Sequence, residues 1–396
     1  MVADARWVLA VDFGTTTTRG SVAHVNPADG WVHVDAVTVD GEASMPSVVL
    51  SRPDGSVLAG RPALDAAPAD PAAAVLRARS YLASAGGPQD AVLTSWPRPT
   101  TAVDVATALV ARVLHAEAGR RRTLPTSMVL THPGWWSAPA RDALRRAGVA
   151  VLAAVPHATP EMVALLPAPE AAAVRLGGHG PVVVVDVGGG GTEVAVVDRE
   201  SDDPGAAGGG AGSTRATLRA GSRSVEVGTE TLDDALAQTV LDRARPGLAA
   251  RIRNGFDLEA HRAWFTLRRD VQACKERLGA TGAVDVAVPV VAPDNPWPTT
   301  VRLTHDDLGA LFAPGLEIIA AAVLDVVAGQ RVPVLVRGGV TDLPGVRDWI
   351  VRRTGLPAAH GEDTGAVSGT GVVSGASAWG AGRAGLGRDP ATAGPG

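Results

Sequence analysis

Two aspartates carry the chemistry this sequence can do. Asp12 ends the apolar run Val8-Leu9-Ala10-Val11 and leads into Phe13-Gly14-Thr15-Thr16-Thr17-Thr18. Asp186 ends Val182-Val183-Val184-Val185 and leads into Val187-Gly188-Gly189-Gly190-Gly191-Thr192. A buried strand that brings a carboxylate to its tip, then turns through small residues, leaves backbone N–H groups free to approach an anion. Glycine and threonine supply donors for phosphate oxygens, and the carboxylate can hold Mg2+ through water. Either turn alone says little, because Asp-x-Gly is common in β-hairpins. Two such devices in one chain imply two lobes closing on a nucleotide from opposite sides.

The elements that must position these turns follow from apolar periodicity. Alternation predicts strands at 7–13, 18–25 and 31–39, a meander whose first turn is the phosphate loop. A helix is expected over Thr101 to Ala118, a strand over Ser127 to Thr131, and a helix capped by Ser137 running to about Gly148. Val149 to Val155 reads as a further strand, followed by a helix from Pro160. The pattern restarts with strands at 181–187, 193–198 and 214–220, and the Gly-rich stretch 201–212 between the last two reads as a loop tip. Helices are expected from Thr229 and over 257–278, then strands at 283–291 and 300–303. Thr304 and Asp307 form a capping box for a helix over 305–328, kinked at Pro314. A strand at 332–336 breaks at Gly338-Gly339, Pro344 opens another helix, and the last helix lies near 372–380. Meander and crossover helices thus occur twice, which predicts two α/β lobes, 1–178 and 179–384. Smaller insertions are expected at about 41–124 and 229–303, with a disordered tail at 385–396.

Bulk properties narrow the function classes. The chain of 396 residues has room for two or three cored domains, and its net charge of −5 argues against nucleic acid or an anionic membrane as partner. Cys274 is the only cysteine, so no intrachain disulfide is possible and a reducing, cytoplasmic setting is expected. Residues 1–6 lead straight into a strand, with no signal peptide expected. Leu316 to Val327 contains Glu317 and Asp325 and is expected to be too short for membrane insertion. The nine histidines show no metal-ligand spacing. Of 36 basic residues, only Lys275 is lysine. It shares with Gln272 the edge of an apolar helical stripe of Leu267, Val271, Cys274 and Leu278, where a polar side chain can reach into a cleft.

The motifs Asp12-Phe13-Gly14-Thr15-Thr16, Met45-Pro46-Ser47-Val48-Val49, Asp186 to Thr192 and Leu335-Val336-Arg337-Gly338-Gly339 stand in the order and roughly at the intervals of one family. The chain resembles the nucleotide-binding domain of the seventy-kilodalton heat-shock chaperones, within the actin and hexokinase ATPase superfamily. The segments His132 to Trp136, Val227 to Asp233 and Gly375 to Trp379 support it, and the resemblance covers residues 7 to about 382. It implies an α/β, two-lobed actin-like ATPase fold, with duplicated ribonuclease-H-like lobes that each hold a mixed five-stranded sheet and flanking helices. The family's peptide-binding domain has no counterpart within these 396 residues. The implied cofactors are ATP or ADP with Mg2+, and the implied partner is an unidentified protein or client.

Carried over position by position, the resemblance places Gly14, Thr15, Thr16 and Thr17 around the β- and γ-phosphates, with Gly188, Gly189, Gly190 and Gly191 meeting them from the second lobe. Asp12 and Asp186 would hold magnesium through water, Asp186 also orienting the attacking water. Glu230, Gln272, Lys275, Gly338 and Gly339 would contact the adenosine. The departures fall mostly on the chemistry. Arg79 stands for the family's phosphate-contacting lysine, and Glu193 for an aspartate. Gly191 stands for a threonine, and Asp342 for the arginine that covers adenine. The glutamate expected after the 149–155 strand is missing, with Glu161 the nearest substitute. The implied activity is weak, Mg-dependent ATP hydrolysis coupled to lobe closure, and the alternatives are a degenerate nucleotide-binding scaffold without turnover or an actin-like filament protein.

Overall fold

The computed structural model describes residues 6–386 apart from 27–29, 84–91, 95–98, 154–157, 177–178, 202–213, 220–221, 245, 255–257, 292–294, 296, 340–344 and 360–370. The fold is mixed α/β with two principal sheets. In the first, strand Trp7–Phe13 is central. It pairs antiparallel with Thr17–Val25, which pairs with Val32–Val37. On its other side Ser127–His132 and then Val163–Pro167 run parallel to it. In the second sheet Gly180–Val187 pairs antiparallel with Thr192–Ser201, and that strand with Thr214–Leu218. Val334–Arg337 lies parallel on the other side of Gly180–Val187.

The second sheet has the expected five strands, the fifth being Arg223–Val225, which pairs antiparallel with the start of Thr192–Ser201. Beyond Val334–Arg337 there is only a single parallel bridge, Val334 to Ala358, with the Val334 N–H donating to the Pro357 carbonyl and the Ala359 N–H donating to the Val334 carbonyl. Pro357 has no N–H to extend the ladder.

Two expectations fail together. Helix Ala138–Leu152 runs through the segment read as the 149–155 strand, of which 154–155 lie outside the described residues. Ala140, Ala143, Leu144, Ala147, Val151 and Leu152 are buried at helical spacing. Gly148 is a packing position inside that helix, since a Cβ there would come within 2.8 Å of Leu130 and 2.9 Å of Val163. The strand is Val163–Pro167, entered through the short 3-10 turn Pro160–Met162, and helix Ala168–Val174 follows it. Of the loop tip expected at 201–212, Ser201 ends strand Thr192–Ser201 and the rest lies outside the described residues, as does the helix start expected at Pro344.

Alternation along the central strands sorts their side chains into three cores. Trp7, Leu9, Val11 and Phe13 face a core completed by helices Ala102–Arg121 and Ala138–Leu152. Val183, Val185 and Val187 face a second, which includes helices Thr229–Ala244, Leu258–Thr281 and His305–Val327. The even-numbered residues, Val8 and Ala10 from one sheet and Val182 and Val184 from the other, share a third core with helices Ala168–Val174 and Gly371–Arg383. Those two helices cross where residue 375 has no side chain, for a Cβ there would lie 1.8 Å from the Ala171 carbonyl oxygen. Asp12 and Asp186 have the same parity as this shared row. The two carboxylates therefore end the faces through which both sheets join.

Helix His305–Val327 forms over the expected span. Its 23 residues are long and apolar enough, by length and composition alone, to cross a membrane. Leu308, Phe312, Leu316, Ile319, Val323 and Val327 are buried in the second core, and Ile318 and Leu324 are exposed.

Candidate functional site

Strand register decides which side chains surround each aspartate. Asp12 is paired with Arg19 on one side and Thr131 on the other. The Thr131 hydroxyl donates to its Oδ1 at 2.6 Å. Asp186 is paired with Glu193 and with Arg337. Burial pushes the Asp186 carboxyl up to about 6 and the Asp12 charge adds to this, while the guanidiniums of Arg79, Arg19 and Arg337 act in the opposite direction. The two aspartates thus lie within electrostatic reach of one another, in a setting rich in arginine.

Each turn after an aspartate is braced by a neighbouring segment. The Gly14 N–H closes the first turn on the Thr17 carbonyl at 3.1 Å, and the Ser47 N–H holds the Thr16 carbonyl at 2.8 Å. The hydroxyls of Thr18 and Ser47 meet at 2.9 Å, so Met45-Pro46-Ser47 acts as a staple on the first loop. In the second loop the Gly188 N–H reaches Gly191, and the N–H groups of Thr229 and Glu230 hold the Gly188 and Gly189 carbonyls at 3.0 Å each. The two loops touch: a Cβ on Gly189 would sit 1.7 Å from Thr16 Oγ1, and one on Gly190 3.0 Å from Thr15 Oγ1.

Arg79 reaches this region from helix Ala78–Ala83, and its guanidinium carbon lies 5.9 Å from the centre of the Trp136 ring. Trp136 is buried and stacked near His132, whereas Trp135 is 41% exposed. His132 Nδ1 lies 2.7 Å from the Pro133 carbonyl, and burial lowers its pKa to about 4, so the ring is neutral at physiological pH. Glu193 Oε1 accepts from the Gly134 N–H at 2.7 Å, a contact between the two sheets. Burial pushes this carboxyl up to about 7.

Among the residues expected to contact adenosine, Glu230 is buried and already engaged. Its carboxylate pairs with Arg77 Nε at 2.5 Å and accepts from the Thr16 hydroxyl at 3.2 Å. Arg77 also reaches Asp234, which pairs with Arg268. Lys275 Nζ pairs with Asp233 at 2.6 Å, both side chains buried, and Gln272 lies one turn earlier, half-buried. Gly338 has φ 99° and packs directly on Val187, with Gly339 beside it, while Asp342 lies outside the described residues. Glu161 is exposed in the 160–162 turn and lines a separate cavity of about 280 Å3 with Arg6 and Thr126. After the true strand come Ala168, Pro169 and Glu170, and Glu170 accepts from the Leu218 N–H at 2.9 Å.

Periodicity and motif order did not single out Arg19, Arg77, Thr131 or Gly134, nor the charge of Arg337 beside the aspartates. Arg19 was readable in principle, because a hairpin whose turn spans Gly14 to Thr17 puts residue 19 opposite residue 12. These neighbours bear on magnesium, which takes oxygen ligands. Asp12 gives one oxygen to Thr131, and Asp186 lies beside Arg337 in the field of three guanidiniums. The donor set does not fit a resident magnesium ion.

No family profile matches the chain. It is similar to the chaperone protein DnaK of Cenarchaeum symbiosum, 23% identical over 371 residues, which covers 90% of this chain and 52% of that protein. It is also similar to the DnaK chaperones of Thermoplasma acidophilum, 22% identical over 370 residues (90% of this chain, 55% of the relative), and Thermoplasma volcanium, 22% over 372 (90% and 56%). The chain spans about half the length of these curated relatives.

Proposed function

We propose that this chain is an adenine-nucleotide-binding module of the heat-shock chaperone type. Its two lobes, residues 1–178 and 179–384 of an actin-like fold, close over ATP or ADP, and a partner protein reads the degree of closure. The observation that carries this reading is the meeting of two loop-and-aspartate devices, one from each sheet, with Thr16 against Gly189 and Thr15 against Gly190. Their remaining backbone N–H groups and threonine hydroxyls are the phosphate donors, with Arg79 adding a guanidinium. Gly338, Gly339, Gln272, Lys275 and Glu230 flank the place where the nucleoside would lie. Entry of a phosphate requires the touching loops to part, which makes occupancy and closure one equilibrium.

Turnover in this reading is slow. Phosphoryl transfer depends on positioning and charge stabilisation more than on covalent chemistry. Asp186 is the group that could orient a water. A scaffold that binds without turnover is the second reading, favoured by Glu193 being held by the Gly134 N–H and by Ala168 rather than a glutamate opening the helix after the third parallel strand. Titration of the chain with ADP and steady-state ATP turnover, run side by side, separate the cases. Micromolar ADP binding, about −8 kcal/mol, with measurable phosphate release supports the slow enzyme. The same binding without release supports the scaffold, and absence of ADP and ATP binding overturns both.

A further inference from the structure

The register sets an arginine beside each aspartate. Arg19 is paired with Asp12 across the first hairpin, and Arg337 with Asp186 across the parallel pair of the second sheet. Side chains directly opposed in a sheet share a face, with Cβ atoms about 4.5–5.5 Å apart. Arg79 completes the set, and all three guanidiniums act on the Asp186 carboxylate. Arg19 Nε is buried without a hydrogen-bond partner among the described residues, a donor lacking an acceptor. Arg337 lies against Gly371, the first residue of the last helix, where a Cβ would come within 3.3 Å of its guanidinium. The acidic side chains Asp12, Asp186 and Glu193 thus lie among three guanidiniums, Arg19 and Arg337 by register and Arg79 by its effect on Asp186 and Glu193. A divalent ion would have to displace or repel these cations, whereas a guanidinium can itself fork onto two phosphate oxygens.

We infer that this site takes the polyphosphate of its nucleotide without a divalent cation, Arg19 and Arg337 supplying the neutralising charge that magnesium would supply. The inference rests on the nucleotide-binding reading above and goes further, for it assigns the cation. The aspartates then act as positioning residues: each holds its arginine at the strand tip until phosphate oxygens take over part of that pairing.

Calorimetric titration with ADP at fixed ionic strength, in excess Mg2+ and in excess EDTA, tests this on the unaltered chain. The expected dissociation constants agree within about threefold, given charge-assisted hydrogen bonds of the usual strength in both cases. Arg19→Gln and Arg337→Gln should each weaken the metal-free affinity by about tenfold or more. The double substitution, with its carboxylates uncovered, should bind ADP only when Mg2+ is added. ADP binding by the unaltered chain that needs Mg2+, or tightens more than tenfold with it, overturns the inference and leaves the nucleotide reading standing. Absence of both ADP and ATP binding in both buffers overturns both. Because the unaltered chain alone decides these outcomes, a variant that fails to fold does not blur the answer.

Discussion

Glu193 shows how a single residue ties this site to pH. Its carboxyl titrates near 7 in the fold against an ordinary value of 4.5, because burial disfavours the charge. A raised acid binds its proton more tightly when folded, so the native state holds the extra proton between those values. Stability is fully present below about 4.5 and declines as pH climbs through about 7, by up to roughly 3 kcal/mol. Asp186 adds a change of the same sign between 3.8 and about 6. Glu193→Gln keeps an oxygen for the Gly134 N–H and has no proton to lose. Urea unfolding across pH 4.5 to 8 should give a flatter profile for the variant and a higher midpoint at the alkaline end; matching profiles would place the titration elsewhere. Lys275 poses a different question, because its partner is Asp233 and both are buried. Lys275→Met alone leaves an uncompensated charge and should cost about 3–5 kcal/mol, while Lys275→Met with Asp233→Leu should recover most of it. If the double variant regains stability and still binds ADP normally, the lysine is structural. The sequence made Lys275 conspicuous by its type, yet the type does not reveal the partner. Asp12 and Asp186 were legible because strand ends and glycine turns are local signals. Their arginines were not, since a cross-strand neighbour is fixed by register.

At the scale of elements, capping chemistry was readable and glycine was ambiguous. The capping box of Thr304 and Asp307 forms as expected, with Asp307 N–H to Thr304 Oγ1 at 3.2 Å and Thr304 N–H to the Asp307 carboxylate at 2.8 Å. Ser137 caps its helix as well, through the Ala140 N–H. Gly148 reads as a helix end because glycine often stops helices. In the fold it lets Leu130 and Val163 approach a continuing helix, and the strand begins at Val163 instead of at 149. Gly375 plays the same part between helices Ala168–Val174 and Gly371–Arg383. Gly375→Ala should push these helices apart at the Ala171 carbonyl and cost about 1–3 kcal/mol, offset little by the better helix propensity. A denaturation midpoint unchanged within error would mean that the crossing relaxes freely.

Across the whole molecule, the segments around the ends of the central strands are held together by contacts that a sequence cannot display. Arg77 spans to Glu230 and Asp234 from a backbone at φ 57°, an uncommon conformation for a residue with a side chain. Glu193 spans to Gly134, and Thr16 lies on Gly189. Arg77→Ala should loosen this clasp without touching a core. Hydrogen exchange at residues 14–17 and 188–191 should quicken severalfold while the melting temperature moves by no more than a few degrees, as expected of local opening. Uniform quickening across both cores would instead mean that Arg77 supports global stability.

The contact of Thr16 with Gly189 carries a kinetic consequence. On the proposed reading, ADP enters only during the brief intervals when those two residues separate, so capture is limited by how often the gap opens rather than by collision. In a stopped-flow series with rising ADP, the observed rate should level off at the frequency of parting. Arg77→Ala, by releasing the nearest fastener, should lift that plateau.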